Sequence, residues 1–171
     1  MEGKTPKFTR RVRKTFFSGS GWENTGFDNA EIAYAILKET LQPLGIDIKN
    51  SFILEVGSGN GLLLDLLKEK GIKAVGVDVD HRGGNKTPRV LSRVERLPFL
   101  NEAFNVVISS GNVFDSIQYD QDQNLMMREI SRVLKPGGVY IGAIQEDIEG
   151  GAQGLKKISD KRSSVQVYRK V

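Results

Sequence analysis

Apolar strand-like runs alternating with helical stretches predict an α/β fold: one doubly wound, mostly parallel sheet in a single domain. Three observations carry this. Ile53–Val56 is a strand-like run that opens into Gly57-Ser58-Gly59-Asn60-Gly61 and an apolar helix start at Leu62-Leu63-Leu64. Lys73–Asp80 is a second apolar run ending in acid. The runs Asn105–Ser109 and Val139–Ile144 bracket a helical stretch closed by Lys135-Pro136-Gly137-Gly138. Right-handed crossovers in such a sheet gather ligands at the carboxyl ends of the strands, near the point where strand order reverses.

The elements follow in order. Residues 1–15 read as a basic, flexible arm, and 16–171 as the domain. The aromatics Phe16, Phe17, Trp22 and Phe27, interleaved with small residues, suit a hydrophobic plug or a lid over a pocket. Asp28 as N-cap with Glu31 three residues on predicts a helix start, and Ile32, Ile36, Leu37, Leu41 and Leu44 give it an apolar face. Pro43 and Gly45 end it. A strand over 51–56 leads through the glycine turn to a helix over 61–70, with Gly71 beyond its C-terminus. After Asp80, His81–Pro88 holds two glycines, a proline and no apolar period, so the helix normally spent on this crossover is missing.

A third strand starts at Arg89-Val90-Leu91 and a fourth runs 105–109. A helix over 121–134 shows Met126, Ile130, Val133 and Leu134 on one face, and Lys135–Gly138 stops it. After the fifth strand, residues 146–161 are polar and carry no pattern, while Ser164–Tyr168 alternates as a last, antiparallel strand. The C-terminal end is therefore expected to be reduced, with one strand there.

Composition narrows the chemistry. The absence of cysteine excludes disulfides, thiolate metal sites and cysteine nucleophiles, covalent 5-methylcytosine chemistry among them, and fits a cytoplasmic protein. No run of 18 apolar residues is present, so no membrane-spanning helix is expected. No metal-ligand cluster stands out, and His81, the only histidine, reads as solvated. The net charge of +4 is uneven: residues 1–14 and 155–171 each carry +5 and the middle −6. Such basic ends suit solvated arms or contacts to nucleic-acid phosphates.

The glycine turn defines the ligand. A dinucleotide fold would space its glycines G-x-G-x-x-G for a pyrophosphate. Here the spacing is Gly57-x-Gly59-x-Gly61, with Glu55 two residues before the first glycine. A carboxylate there repels phosphate and suits a cationic amine. Asp78 at the end of the next strand suits ribose hydroxyls. An amine plus a ribose describes S-adenosylmethionine.

With these residues the chain resembles the class I S-adenosylmethionine-dependent methyltransferases, in particular the small type 11 group. Ile53–Gly61 is similar to the family's first motif and Val75–Asp78 to its second-strand acid. Glu95-Arg96-Leu97-Pro98-Phe99 with Phe104-Asn105-Val106-Val107 is similar to its E-x-L-P-F…F-D-x-V segment, and Arg128–Gly138 to its R-E-I-x-R-V-L-K-P-G-G. The resemblance covers residues 50–145 and implies a Rossmann-like methyltransferase fold. It implies that Glu55 and the backbone of Gly57, Ser58, Gly59, Asn60 and Gly61 hold the methionine part, Asp78 the ribose, and Val79 the adenine. Where the family often has an adenine-contacting acid the chain has Arg93, which passes that role to backbone or to Glu95. Ser110, at the end of the fourth strand, completes the expected set.

Methyl transfer is then in-line displacement at a sulfonium, achieved by positioning. Asn112, Asp115 and Tyr119 lie in the loop where an acceptor should meet the methyl, yet no catalytic base is named, and the N/D-P-P-Y pattern for base amines is absent. Three readings stay open: transfer to a small-molecule or unidentified acceptor, transfer to RNA or a ribosome-associated protein with the chain held by its basic ends, and a non-catalytic binding or scaffold relative that keeps the fold. The sequence sets no oligomeric state.

Overall fold

A computed structural model of the chain describes residues 27–80, 88–109, 122–142, 154–160 and 165–171. Among them are three α-helices, α1 (Phe27–Leu41), α2 (Leu62–Glu69) and α3 (Gln123–Val133). Seven strands accompany them: β1 (Phe52–Val56), β2 (Lys73–Asp78), β3 (Arg89–Leu91), β4 (Phe104–Ser109), β5 (Leu134–Gly142), β6 (Leu155–Lys157) and β7 (Gln166–Lys170). They form one sheet in the order β3-β2-β1-β4-β5-β7-β6. β1 to β5 are parallel; β7 is antiparallel to β5 and to β6. Strand order reverses between β1 and β4, so the predicted doubly wound sheet and its crevice are both present.

Two apolar layers hold the sheet. On one face, α1 and α2 cover Ile53, Val106, Ile108, Val139 and Ile141. On the other, α3 and the Leu97–Phe104 segment cover Leu54, Val56, Val77, Val107 and Tyr140. α2 contributes Leu63, Leu64, Leu66 and Leu67, all buried. Each such side chain stabilises by roughly 1.5–3 kcal/mol. In α1 the residues Ile36, Leu37 and Leu41 are buried as the periodicity predicts, and Gly45 closes the following 3-10 turn with φ +70°. The chain is already helical at Phe27, so Asp28 lies inside the first turn rather than at the cap. In α3 the cap is Asp122, which accepts the N–H groups of Asn124 and Leu125 at 2.9 and 3.1 Å.

Two expectations are corrected. The C-terminal end is not reduced to one strand: β6 lies in the polar stretch 146–161 and forms the sheet edge beyond β7. Only three residues long, with Lys156 and Lys157 following one apolar residue, it carries too little alternation to be seen in sequence. The second correction concerns Lys135-Pro136-Gly137-Gly138. The helix ends before it, at Val133, and the four residues bulge out of β5 opposite Asn105: Phe104 pairs with Leu134 and Val106 with Val139. Gly137 takes φ +75°, and a Cβ on Gly138 would lie 2.9 Å from the Asn105 carbonyl oxygen, so the bulge needs both glycines. The Asn105 side-chain oxygen accepts from the Phe52 N–H at 3.0 Å and the Lys135 ammonium at 3.2 Å. The basic arm, the aromatics at 16–22, and the crossover at 81–87 lie outside the described residues.

Candidate functional site

The carboxyl ends of β1 and β2 build the candidate site. β1, an interior strand, carries Glu55, 2% exposed, next to its carboxyl end and then turns through Gly57, Gly59 and Gly61 with φ of +70°, +48° and +73°. Side chains with a Cβ rarely adopt this left-handed region, which accounts for the alternate spacing of the glycines. A Cβ on Gly59 would meet nothing within 4 Å, so the crest of the turn is open to approach. Ser58 faces the other way. Its Cβ and Oγ lie where a Cβ on Gly76 would come within 2.7 Å, so Gly76 is the gap in β2 that lets the turn sit down on the strand.

The turn's backbone N–H groups are largely spent within the protein. Gly57 and Ser58 both donate to the Val77 carbonyl, at 2.8 and 3.0 Å, and Gly61 donates to the Ser58 carbonyl at 2.7 Å. Gly59 donates to the Asp78 carboxylate at 2.7 Å. A phosphate cradle needs such groups converging on the ligand. Four of the five N–H groups from Gly57 to Gly61 are therefore directed elsewhere, and two carboxylates, Glu55 and Asp78, flank the turn. This donor set fits an amine and hydroxyl groups and does not fit a diphosphate.

Asp78 is both ligand candidate and latch. Besides Gly59 it accepts the Asp80 N–H at 3.0 Å. An ionised carboxylate has about four acceptor positions, so two remain for ribose hydroxyls. Arg89, at the start of β3, donates to the Gly59 carbonyl. Gly59 is thus held at its N–H by β2 and at its carbonyl by β3. Sequence reasoning missed Arg89, which stands opposite Gly76 in the β2–β3 register, a pairing that the sequence does not display.

Beyond Asp78, Val79 is 54% exposed, an apolar side chain open at the strand end. Glu95 lies in a 3-10 turn, Val94–Arg96. One of its oxygens pairs with Arg93 at 3.1 Å, while Arg93 itself is 59% exposed. The other, Oε2, is buried with no hydrogen-bond partner among the described residues. Arg93 thus leaves an acceptor beside it in Glu95. Ser110, Asn112, Asp115, Tyr119 and His81 lie outside the described residues.

The R-E-I-x-R segment does a different job. Glu129 accepts the Leu97 N–H at 2.8 Å and two bonds from Arg132, at 2.8 Å each. Arg132 also donates to the carbonyls of Phe99 (2.7 Å) and Leu97 (2.8 Å). The Arg132 bonds hold the Glu129 carboxyl below its ordinary range. This clamp fixes Leu97–Phe99 against α3, and through it the adjacent Val94–Arg96 turn. At the end of β4, Ser109 Oγ and the Tyr140 hydroxyl share a buried hydrogen bond of 2.8 Å. Gly142 leaves room for it, since a Cβ there would lie 2.1 Å from the Tyr140 oxygen. Burial pushes the Tyr140 phenol above its ordinary value of 10.

Known proteins place this geometry. A family model described as a methyltransferase domain matches residues 54–142, just over half of the chain. The malonyl-[acyl-carrier protein] O-methyltransferase of Hamiltonella defensa is 24% identical over 147 residues, 78% of this chain and 54% of that relative. The ubiquinone biosynthesis O-methyltransferase of Paramagnetospirillum magneticum is 31% identical over 102 residues, 53% of this chain and 39% of that relative. The chain spans about half or less of the length of these curated relatives. Among solved structures, a Burkholderia thailandensis 1,6-didemethyltoxoflavin-N1-methyltransferase, with bound 1,6-didemethyltoxoflavin and S-adenosylhomocysteine, superposes with a TM-score of 0.55. At 14% identity over 94% of this chain and 85% of that one, it shows a shared fold. The family match opens in β1 and closes with β5, so it contains the glycine turn, Asp78 and the Glu129–Arg132 clamp together. The chain belongs to the type 11 methyltransferase domains of the class I family, whose cofactor is S-adenosylmethionine.

Proposed function

We propose that this chain binds S-adenosylmethionine at the carboxyl ends of β1 and β2 and transfers its methyl group to an acceptor presented at the end of β4. The observation that carries the reading is the donor set of the turn: N–H groups used internally, an open crest at Gly59, and two carboxylates beside it. Glu55 would take the amino group of the methionine part, with the Gly57–Gly61 turn shaping its seat and Ser58 and Asn60 contributing backbone. Asp78 would accept from the ribose hydroxyls while keeping its bond to Gly59. Val79 would cover one face of the adenine. Glu95 would supply Oε2 as acceptor for the exocyclic amine, the part the family often gives to an acid at the position of Arg93. Ser110, next to Ser109, would complete the wall.

When bound there, S-adenosylmethionine supplies a methyl group already activated by its sulfonium, so the protein's task is to orient the acceptor and exclude water rather than to provide an obligatory base. The relatives are a malonyl-[acyl-carrier protein] O-methyltransferase, a ubiquinone biosynthesis O-methyltransferase and a 1,6-didemethyltoxoflavin-N1-methyltransferase. Two of these names give transfer to oxygen and one transfer to nitrogen, on unlike molecules, and the acceptor class stays open in this proposal.

Calorimetric titration of the full chain with S-adenosylhomocysteine tests the reading. Saturable binding is expected, weakened roughly tenfold to a hundredfold by Asp78→Ala through loss of charge-assisted bonds to the ribose. Asp78→Asn keeps an acceptor for Gly59 and separates the ribose contact from the latch. Wild-type affinity in both variants would reject the assignment of Asp78.

A further inference from the structure

The β6–β7 edge carries a charge arrangement the cofactor site does not use. Lys156 on β6 sits directly opposite Arg169 on β7. Opposed side chains on one face of an antiparallel pair have Cβ atoms about 4.5–5.5 Å apart, and like charges there destabilise. Neither strand contains an acid: β6 reads Leu-Lys-Lys and β7 Gln-Val-Tyr-Arg-Lys. Lysine at an edge strand discourages pairing with other chains, which accounts for Lys156 alone. It does not account for Arg169, which is on the inner strand of the two.

The side chain of Arg169 is half-buried, and its Nε is buried without a hydrogen-bond partner among the described residues. Lys156 is exposed, and neither residue forms an ion pair among them. The neighbouring cation Lys170 differs: its ammonium donates to the Leu134 carbonyl at 2.7 Å and pairs with Glu102 at 3.4 Å. An exposed ammonium beside a half-buried guanidinium, with no acid on either strand, suits the oxygens of a phosphodiester.

We propose that the Lys156–Arg169 rung is a docking surface for the phosphate backbone of a nucleic acid. Its position separates it from the cofactor crevice. Arg169 pairs with Val139, while the carboxyl end of β5 is at Gly142, opposite Gln166. The two are therefore three residues apart along β5, about 10 Å. The rung faces the α1–α2 side, since Val139 belongs to that layer. The proposal does not depend on the methyl-transfer reading.

Fluorescence anisotropy of the full chain with labelled single-stranded RNA and DNA of equal length tests it. Wild type binds, and the double variant Lys156→Gln/Arg169→Gln binds at least about tenfold more weakly at about 50 mM salt, with a log–log salt slope shallower by about 1.4 for two lost phosphate contacts. A charge-matched control, Lys68→Gln/Lys73→Gln, alters exposed lysines toward the opposite edge and keeps the wild-type slope. Lys156→Glu, at an exposed position, covers the case in which the double variant does not fold, and it too loses binding. Preference for RNA over DNA would point to a 2′-hydroxyl contact; equal binding leaves the backbone alone as the ligand. No binding by wild type, a folded Lys156→Glu with unchanged affinity and slope, a control as weak as the double variant, or displacement by polyglutamate as readily as by unlabelled RNA would each overturn the proposal. S-adenosylhomocysteine titration of the double variant keeps the two readings separate, because its cofactor affinity should equal that of wild type.

Discussion

The glycine turn and the Glu129–Arg132 clamp are equally conspicuous as strings of letters, and they do opposite kinds of work. In the turn, three left-handed glycines strip a corner of side chains and leave its crest open beside two carboxylates. In the clamp, two long charged side chains close on each other and on the backbone of Leu97 and Phe99. The turn spends its backbone donors to hold one shape for a ligand; the clamp spends side-chain donors to hold one shape for the fold. Mutations should therefore separate binding from stability.

The largest expected effect is on the binding side. Glu55→Ala removes the buried carboxylate proposed for the amine and should weaken S-adenosylhomocysteine by roughly a hundredfold or more, read by calorimetry. Glu55→Gln should recover part of that loss through hydrogen bonding alone. Next is the clamp. Arg132→Ala removes bonds to Glu129, Leu97 and Phe99 at once and should destabilise by about 2–3 kcal/mol in chemical denaturation. Cofactor affinity of the folded fraction should change far less than in Glu55→Ala. An Arg132→Ala protein that keeps its stability but loses the cofactor would dissolve the comparison.

The clamp also has a pH signature. The carboxyl of Glu129 is lowered from 4.5, so its contribution is present in full above that pH and is lost as the pH falls through the folded-state value. Wild type should lose stability below about pH 4.5 more steeply than Glu129→Gln, followed by melting temperature. The smallest effect is expected at Tyr140→Phe, which keeps the ring in the core but leaves Ser109 Oγ buried without its partner. The cost should be about 1 kcal/mol. The raised phenol pKa makes Tyr140 lose stability as the pH climbs above 10, a loss absent in the variant.

How much of this was legible in the sequence differs between the two regions. The turn was readable because its constraint is local: a backbone at positive φ requires glycine, and Gly57, Gly59 and Gly61 announce it. The sheet's buried strands were readable for a similar reason, since Ile53–Val56 and Asn105–Ser109 are too apolar for any other place. The direction of the turn's N–H groups was not readable, because Val77 and Asp78, which accept them, are set by strand pairing some twenty residues away. Arg89 was missed for the same reason: its partner is the Gly59 carbonyl, two strands across. The clamp was recognised as a motif, but its targets at Leu97 and Phe99 are found only once α3 packs on the sheet. β6 was missed because three residues with two lysines show no alternation; it is a strand only because β7 pairs with it. Glu95 lies between these cases. The sequence placed an unexpected cation at Arg93, and the structure shows the acid beside it keeping one buried oxygen without a partner among the described residues.

The central claim is that the Gly57–Gly61 turn is shaped for an amine and a ribose rather than for a diphosphate. Parallel calorimetric titrations of the full chain with S-adenosylhomocysteine and with NAD test it most directly. The account predicts saturable binding of S-adenosylhomocysteine and affinity for NAD weaker by at least about a hundredfold, since a diphosphate would face Glu55 and Asp78 with few N–H groups to receive it. Binding of NAD equal to or tighter than that of S-adenosylhomocysteine would contradict it.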